Sequence, residues 1–372
     1  MNPRYKKIYC CTPVSFAANE HFFIRDTGLI SRTLQSMGIE SKCIMPLPYH
    51  DSDQREGIIR TEYKNLKSVS WWKSLGIDAI VLYSWGAPKY TLIARAIHKA
   101  GIKLVLHLDT SGNFNGVDWD ELPWYKKILR AIRVTLTDVL RAKHLSYADN
   151  ITCSTAAMRA ITDRLGYKKS LFKKHFPMAS PVETCCAYDG REKKDIIVCI
   201  GRWNDERQKR SLFLMQTLDI FYSDDNNSET HIIGNVTDKM RDWHNSLPSE
   251  IAKKIKLIGF IPHSQLVEEY LSAKIILCPS RYEGSHISSS EGLCCGCSIV
   301  TTNRPKALST VLWYTKKQSG TISLSDTPID LAKAITEEMS AWKEGKRNAH
   351  DIATTWHPYF HADKVFNQIF TH

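Results

Sequence analysis

The chain lacks long apolar runs: nowhere in its 372 residues do 18 uncharged apolar residues follow one another, so no segment reads as a spanning helix. Its opening, Met1 to Cys11, carries Arg4, Lys6 and Lys7 but no apolar stretch long enough for the core of a signal peptide. Internal repeats and low-complexity tracts are absent, which sets aside fibrous and disordered chains. A cysteine pairing pattern is missing too: there are 11 cysteines, an odd number, and Cys10, Cys11, Cys199 and Cys278 sit in apolar runs as small core hydrophobes. That usage predicts a reducing compartment, and the expected location is cytoplasmic. Acidic residues are short in one half only. Residues 1–185 hold 27 Lys+Arg against 16 Asp+Glu, a net of +11, whereas residues 186–372 hold 23 of each. The basic half suits a polyanion or a membrane surface, and solubility is the plain alternative.

What is present is enough material for two packed cores. At 43% hydrophobic and 24% charged, 372 residues suit two domains of about 150–200 each. Apolar runs at 8–12, 41–45, 78–83, 103–107 and 150–153 predict buried strands, with helices over 27–37, 89–100 and 155–165 stopped by Gly38, Gly101 and Gly166. The second half repeats the scheme, with strands at 196–200, 231–233, 255–258, 275–278 and 298–301. Such alternation predicts an α/β protein of two doubly wound, Rossmann-like domains facing across a cleft. The expected division is a first domain over 1–180, a second over 190–350 and a C-terminal tail over 351–372 that packs back on the first. The segment Phe176 to Glu183, with Pro177 and Pro181 and no period, is the expected linker.

One segment has a physical grammar of its own. After the run Ile275 to Cys278 the strand stops at Pro279, a loop carries Glu283 and Gly284, and serines 288–290 open a helix that ends near Gly296. The amides at such a helix start form an anion site suited to phosphate, and Glu291, one turn in, can offer a carboxylate to a sugar diol. Upstream, Gly201-Arg202 closes a strand and Lys209-Arg210 follow, cations placed to neutralise a diphosphate.

At these residues the chain resembles the family-4 (group 1) retaining glycosyltransferases of the GT-B fold. The family's paired glutamates match Glu283 and Glu291, with seven residues between them, and its strand-end Gly-Arg with a following lysine matches Gly201, Arg202 and Lys209. Its glycine turn matches Gly234, its segment against the base matches Gly259-Phe260-Ile261, and its N-terminal histidine matches His107. The similarity covers nearly the whole chain and is densest from about 195 to 345. Departures are clear. Only Gly28 stands where the family has a glycine pair, Ser285-His286 replaces the common Phe-Gly, and Ser298 replaces a proline. The interval from Arg202 to Lys209 is slightly long, so Arg210 is an alternative to Lys209.

The resemblance implies a sugar moved from a nucleotide-diphosphate donor, UDP- or GDP-linked, to a hydroxyl acceptor in glycan, lipid-linked or envelope synthesis, with no cofactor and no metal. It implies Glu283 at the donor sugar, Arg202 and Lys209 on the diphosphate, Glu291 on the ribose, and His107 near the transferred sugar. Gly201, Gly234, Phe260, Ile261, His286, Ser288 and Ser289 complete the expected donor site. Each has a plain alternative: a solvated carboxylate for Glu283, a satisfied structural histidine for His107 and a buried-loop bond for His286. Ser288 and Ser289 have ordinary capping as theirs. Cys294 and Cys297, spaced as C-x-x-C without a second pair, read as helix packing.

A second signal lies at 122–143, where Lys126, Arg130, Arg133 and Arg141 fall on one helical face and Ile128, Leu129, Ile132, Leu136, Val139 and Leu140 on the other. With Trp124 and Tyr125 at its start, this helix fits an anionic bilayer at the inner membrane face, and a core-packed helix is the alternative. Three further readings stay open: transfer to a polyanion such as modified DNA, a catalytically silent binding module of the same fold, and a sugar-nucleotide epimerase.

Overall fold

The computed structural model describes residues 5–54, 56–108, 122–153, 175–177, 182–224, 226–305 and 307–370. Two compact units emerge, one of residues 1–183 with 361–372, the other of residues 184–360.

In the first unit, strands β1 (Ile8–Cys11), β2 (Cys43–Pro46), β3 (Ile58–Thr61), β4 (Ala79–Tyr83), β5 (Lys103–Leu108), β6 (Asn150–Cys153) and β7 (His175–Pro177) form a sheet of order β3-β2-β1-β4-β5-β6-β7. Every pairing is parallel. Both faces are buried, and the strands divide their side chains between two cores. Tyr9, Cys11, Ile80 and Leu82 point to one, and Ile8, Cys10, Ala79 and Val81 to the other. A run that is apolar throughout is what a doubly covered parallel strand requires. The helices expected at 27–37 and 89–100 occur as Asp26–Ser36 and Thr91–Lys99, with Gly38 and Gly101 both at φ +79 beyond them. The helix expected at 155–165 lies outside the described residues. Strands β3 and β7 were not expected; β7 occupies the start of the segment assigned to the linker, and Pro177 at its end concealed it.

The helix Trp124–Ser146 corrects the expected orientation. Arg141, placed by its spacing on an outer basic face, is buried, with Nε donating to Gly86 O at 3.0 Å and a guanidinium nitrogen to Asp138 at 2.5 Å. Ala142 and Leu145 join the core beside it. The apolar side is the exposed one, with Leu129 67% and Leu136 66% accessible and Trp124 74% at the helix start.

In the second unit, β8 (Lys194–Gly201), β9 (Glu229–Gly234), β10 (Ile255–Gly259), β11 (Ala273–Cys278), β12 (Ser298–Thr301) and β13 (Gly320–Ile322) form a parallel sheet of order β10-β9-β8-β11-β12-β13. The chain steps outward from β8 through β9 to β10, then returns to the other side of β8. The strand order therefore reverses between β8 and β11. Loops leaving those two strands diverge, and ligands of such sheets bind in the crevice this creates.

The tail differs from the expected 351–372 piece. The helix Ala349–Phe360 belongs to the second unit, its Trp356 stacked on Phe360 at 5.4 Å and donating from Nε1 to Ser319 Oγ at 2.7 Å. Only from His361 does the chain rejoin the first unit, where Ala362, Val365 and Phe366 enter one of its cores.

At the C-terminal edge of the second sheet, Gly201 pairs with Gly234. Gly234 has φ +112, and a Cβ there would stand 2.1 Å from the Gly201 carbonyl oxygen. Only glycine fits this approach. Gly234→Ala is expected to cost about 2 kcal/mol or more in urea unfolding; a loss under about 0.5 kcal/mol would show that the turn yields.

Candidate donor site

The site is built where β8 and β11 end. Beyond β8 comes Arg202, then a short helix Glu206–Lys209 capped by the Asp205 side chain, which accepts from the Gln208 amide. Arg210 follows in the left-handed region at φ 59. Beyond β11 the loop reaches Glu283, whose amide donates to Ala307 O at 3.1 Å. The two loops are tied together by Arg281 N–H donating to Gln208 O at 2.8 Å.

These ties bring Lys209, Glu283 and His286 into one place. The Lys209 ammonium donates to one Glu283 oxygen at 2.5 Å, and Gln208 Nε2 donates to the other at 3.2 Å. The Glu283 carboxylate is 5% exposed. Burial by itself would raise its pKa; the Lys209 ammonium, with His286 close by, outweighs that and holds it below the ordinary carboxylate value. A Glu283 oxygen, a His286 ring nitrogen and Cys278 Sγ lie within 4.8 Å of one another.

His286 explains a departure seen in the sequence. It adopts φ +48, a left-handed conformation that glycine takes without strain, and it stands where the related pattern has glycine. Two contacts hold it there: its Nδ1 bonds Ser289 Oγ at 2.6 Å, and the Tyr314 hydroxyl donates to the preceding carbonyl of Ser285 at 2.5 Å. Burial pushes its pKa down to about 4, so the ring is neutral near pH 7.

The helix Ile287–Cys294 starts at His286 and aims its N-terminal amides at the same crevice. Its serine hydroxyls are turned into the protein. Ser289 is taken by His286, Ser290 donates to Ile287 O at 2.9 Å, and Ser288 bonds Tyr270. The Ser289 and Ser290 amides already donate to His286 O at 2.9 and 3.4 Å, so the earlier amides, of Ile287 and Ser288, are what this helix start can offer an anion.

Glu291 sits in a separate network. His263 Nε2 bonds one of its oxygens at 2.9 Å and the Tyr270 hydroxyl donates to the other at 2.8 Å. Hydrogen bonds to Cys185 and to Glu291 push the His263 pKa up to about 10. Neither His263 nor Tyr270 was expected at the site. The signal was their spacing, seven residues on the helix His263–Ser272, which sets them on one face.

Arg202 remains outward, its side chain 68% exposed and Gln208 Oε1 accepting from it at 3.3 Å. Arg210, the alternative to Lys209, is a structural residue: it pairs with Asp326 at 2.6 Å and lies over the Phe213 ring at 3.6 Å. Phe260, beyond β10, is 74% exposed, and Ile261 follows it half-buried. His107 belongs to the first unit, at the end of β5. Its Nδ1 bonds Thr152 Oγ1 at 2.9 Å, its ring packs 4.2 Å from that of Tyr83, and burial drives its pKa down to about 3. Nε2 has no hydrogen-bond partner among the described residues. Cys294 and Cys297 are both buried, and Cys297 Sγ donates to Tyr270 O and Ala273 O, as helix packing requires.

The Glu283 carboxyl titrates lower folded than unfolded, so its pairing stabilises the fold above about pH 4.3 and that contribution is lost as pH falls through the folded value. Urea unfolding followed from about pH 7 to pH 3 should show a steeper acid loss for the wild type than for Glu283→Gln. Parallel curves would show that Lys209 does not hold the carboxylate.

Comparison with known proteins bears on the fold. Residues 194–340 match the family described as Glycosyl transferases group 1. No curated protein matches the chain in sequence. Among solved structures, the lipopolysaccharide outer core galactosyltransferase WaaB in its apo form is similar, 16% identical with a TM-score of 0.63 over 98% of this chain and 99% of that one. HepE of Anabaena in complex with UDP is 13% identical with a TM-score of 0.63, covering 98% of each chain. WaaG, a glycosyltransferase involved in lipopolysaccharide biosynthesis, is 12% identical at a TM-score of 0.58, over 98% of this chain and 100% of that one. At such identities the likeness is one of fold. The second unit thus carries a segment similar to the group 1 glycosyltransferases, on a chain with the two-domain GT-B fold.

Proposed function

We propose that the protein transfers a sugar, with retention, from a nucleoside diphosphate sugar to a hydroxyl acceptor. The observation that carries this reading is the meeting of the Lys209–Glu283 pair, neutral His286 and the start of the helix Ile287–Cys294 at the point where the sheet order reverses. A diphosphate laid on that helix start meets the Ile287 and Ser288 amides, with Arg202 able to swing onto it from solvent. Lys209 has three N–H donors, so it can keep Glu283 while donating to a phosphate oxygen. Glu291 retains lone pairs for ribose hydroxyls beyond those used by His263 and Tyr270, and Gly259-Phe260-Ile261 lies against the base.

In the transfer, the bond from the anomeric carbon to the diphosphate breaks and a bond to the acceptor oxygen forms on the same face. The departing phosphate oxygen takes the acceptor's proton. Negative charge grows on the diphosphate, where the helix start, Lys209 and Arg202 stabilise it. The residues thus position and neutralise; none of these steps uses a metal.

The acceptor is presented at an anionic membrane surface. Support comes from the helix Trp124–Ser146, which turns Trp124, Ile128, Ile132, Leu136, Leu129 and Leu140 outward over an arc of roughly 160°. Arg133 and Lys126 border that arc, an arrangement suited to apolar insertion beside lipid phosphates.

UDP or GDP should raise the melting temperature of the wild type, and Arg202→Ala and Glu291→Ala should reduce the shift, since a ligand of the native state stabilises by RT ln(1+[L]/Kd). No shift with any nucleotide diphosphate or its sugars would remove the transferase reading in favour of a silent binding module. Separately, Leu129→Glu with Ile132→Glu should abolish sedimentation with vesicles containing phosphatidylglycerol, while leaving nucleotide binding intact. Unchanged sedimentation would show that this face does not meet lipid.

A further inference from the structure

Beside Glu291 lies a group of thiols that the transfer chemistry does not use. Cys186 is fully buried, and its thiol is hydrogen-bonded to Cys185 and to Cys295. Cys185 is exposed and also hydrogen-bonded to His263. Cys186 Sγ, a His263 ring nitrogen and a Glu291 oxygen lie within 4.8 Å of one another. Three segments therefore converge: the residues before β8, the first residue of the helix His263–Ser272, and the second turn of the helix Ile287–Cys294.

We propose that Cys185, Cys186, His263 and Glu291 bind a thiophilic divalent cation of the zinc class, and that its binding withdraws Glu291 from the donor nucleotide. The second half rests on the placement of Glu291 at the ribose.

The donor set selects the ion. Two sulfurs, one imidazole nitrogen and one carboxylate oxygen suit zinc, whereas magnesium and calcium take oxygen ligands. Tetrahedral coordination at about 2.0–2.3 Å per ligand asks for donor separations of roughly 3.3–3.8 Å, so the Cys186, His263 and Glu291 donors, within 4.8 Å of one another, need close only by about an ångström, while Cys185 Sγ, which lies within 4.8 Å of a His263 ring nitrogen, turns in from the surface to take the fourth position. Binding forms two Zn–S bonds, one Zn–N and one Zn–O bond, and the protons carried by the thiols and the His263 ring pass to solvent. Cys185, at the surface, gives the ion its way in. Tyr270, donating to the second Glu291 oxygen at 2.8 Å, already orients the carboxylate from behind, as outer partners of metal ligands do. An ion held there occupies lone pairs that ribose hydroxyls would use. Donor binding and zinc binding are then mutually exclusive.

The reduced full-length protein, dialysed against zinc chloride and analysed for metal, should hold one zinc per chain. Cobalt in its place should give a thiolate-to-metal charge-transfer band. Cys185→Ser and His263→Gln should each weaken zinc binding at least about tenfold. Cys185→Ser changes a surface residue outside the donor site, so its folding is readily checked by its melting temperature. Zinc should also weaken UDP or GDP binding by at least about tenfold in the wild type and not in Cys185→Ser. Absence of stoichiometric zinc, a cobalt complex without the thiolate band, or equal binding by both variants overturns the metal site. Zinc bound as described with nucleotide affinity unchanged overturns the exclusion. If zinc binds at these residues and no nucleotide binds under any condition, the donor reading fails while the metal site stands.

Discussion

A parallel sheet covered on both faces can place polar chemistry only at its ends. The interior of each strand here is given over to packing: Ile197, Cys199, Ile275 and Leu277 fill one core of the second unit and have no access to a ligand. Loops at the carboxyl edge are the only positions from which charged groups reach a common point, and they diverge only where the strand order reverses, between β8 and β11. That one geometric fact decides where Lys209, Glu283 and His286 meet. Tight passages elsewhere on the edge, such as the Gly201–Gly234 approach, keep the loops in register.

The site carries costs that the surrounding structure offsets. A carboxylate as buried as Glu283 is unfavourable alone, and Lys209 with Gln208 satisfies both of its oxygens. Two non-glycine residues beside it, Arg210 and His286, hold left-handed backbone. Arg210 is fixed by Asp326 and Phe213, His286 by Ser289 and by Tyr314 through Ser285. Strain of about 1 kcal/mol or more at each persists because several contacts specify each position. A neutral, immobile imidazole beside an ion pair is the product, a different object from the bare glycine backbone common in related chains.

Charge and apolar surface are divided between the units in a consistent way. The first unit holds the basic excess and the helix whose apolar arc faces outward, and the second is charge-balanced and holds Lys209, Glu283, His286 and Glu291. On that helix Arg141, Asp138 and His144 turn inward, because Gly86 O and Ser84 Oγ offer them bonds. Satisfying three buried polar groups fixed the rotation of the helix. Its apolar side was left with no place in the core.

Sequence alone determined the α/β class and ten of the strands, and it singled out Lys209, Glu283, His286 and Glu291 before their contacts were known. Apolar runs between glycine stops admit few other folds, and Glu283, Glu291, Gly201 and Arg202 occur at spacings tied to strand ends. It also determined that Gly38 and Gly101 would close helices, since backbone conformation there is a local matter. Strands β3, β7 and β13 escaped because β3 is only half-buried, Pro177 ends β7 and β13 is three partly exposed residues opening on Gly320, so none shows a full apolar run. Tertiary structure alone decided which cation pairs with Glu283. Lys209 and Arg210 are adjacent in the chain, and only the left-handed turn at Arg210 sends one to Glu283 and the other to Asp326. It alone decided the rotation of the helix at 124–146, because hydrophobic periodicity fixes a stripe but not what covers it. His263, Tyr270 and Cys186 converge on Glu291 from distant parts of the second unit; the seven-residue interval sets His263 and Tyr270 on one helical face, but nothing in local spacing says that this face meets Glu291.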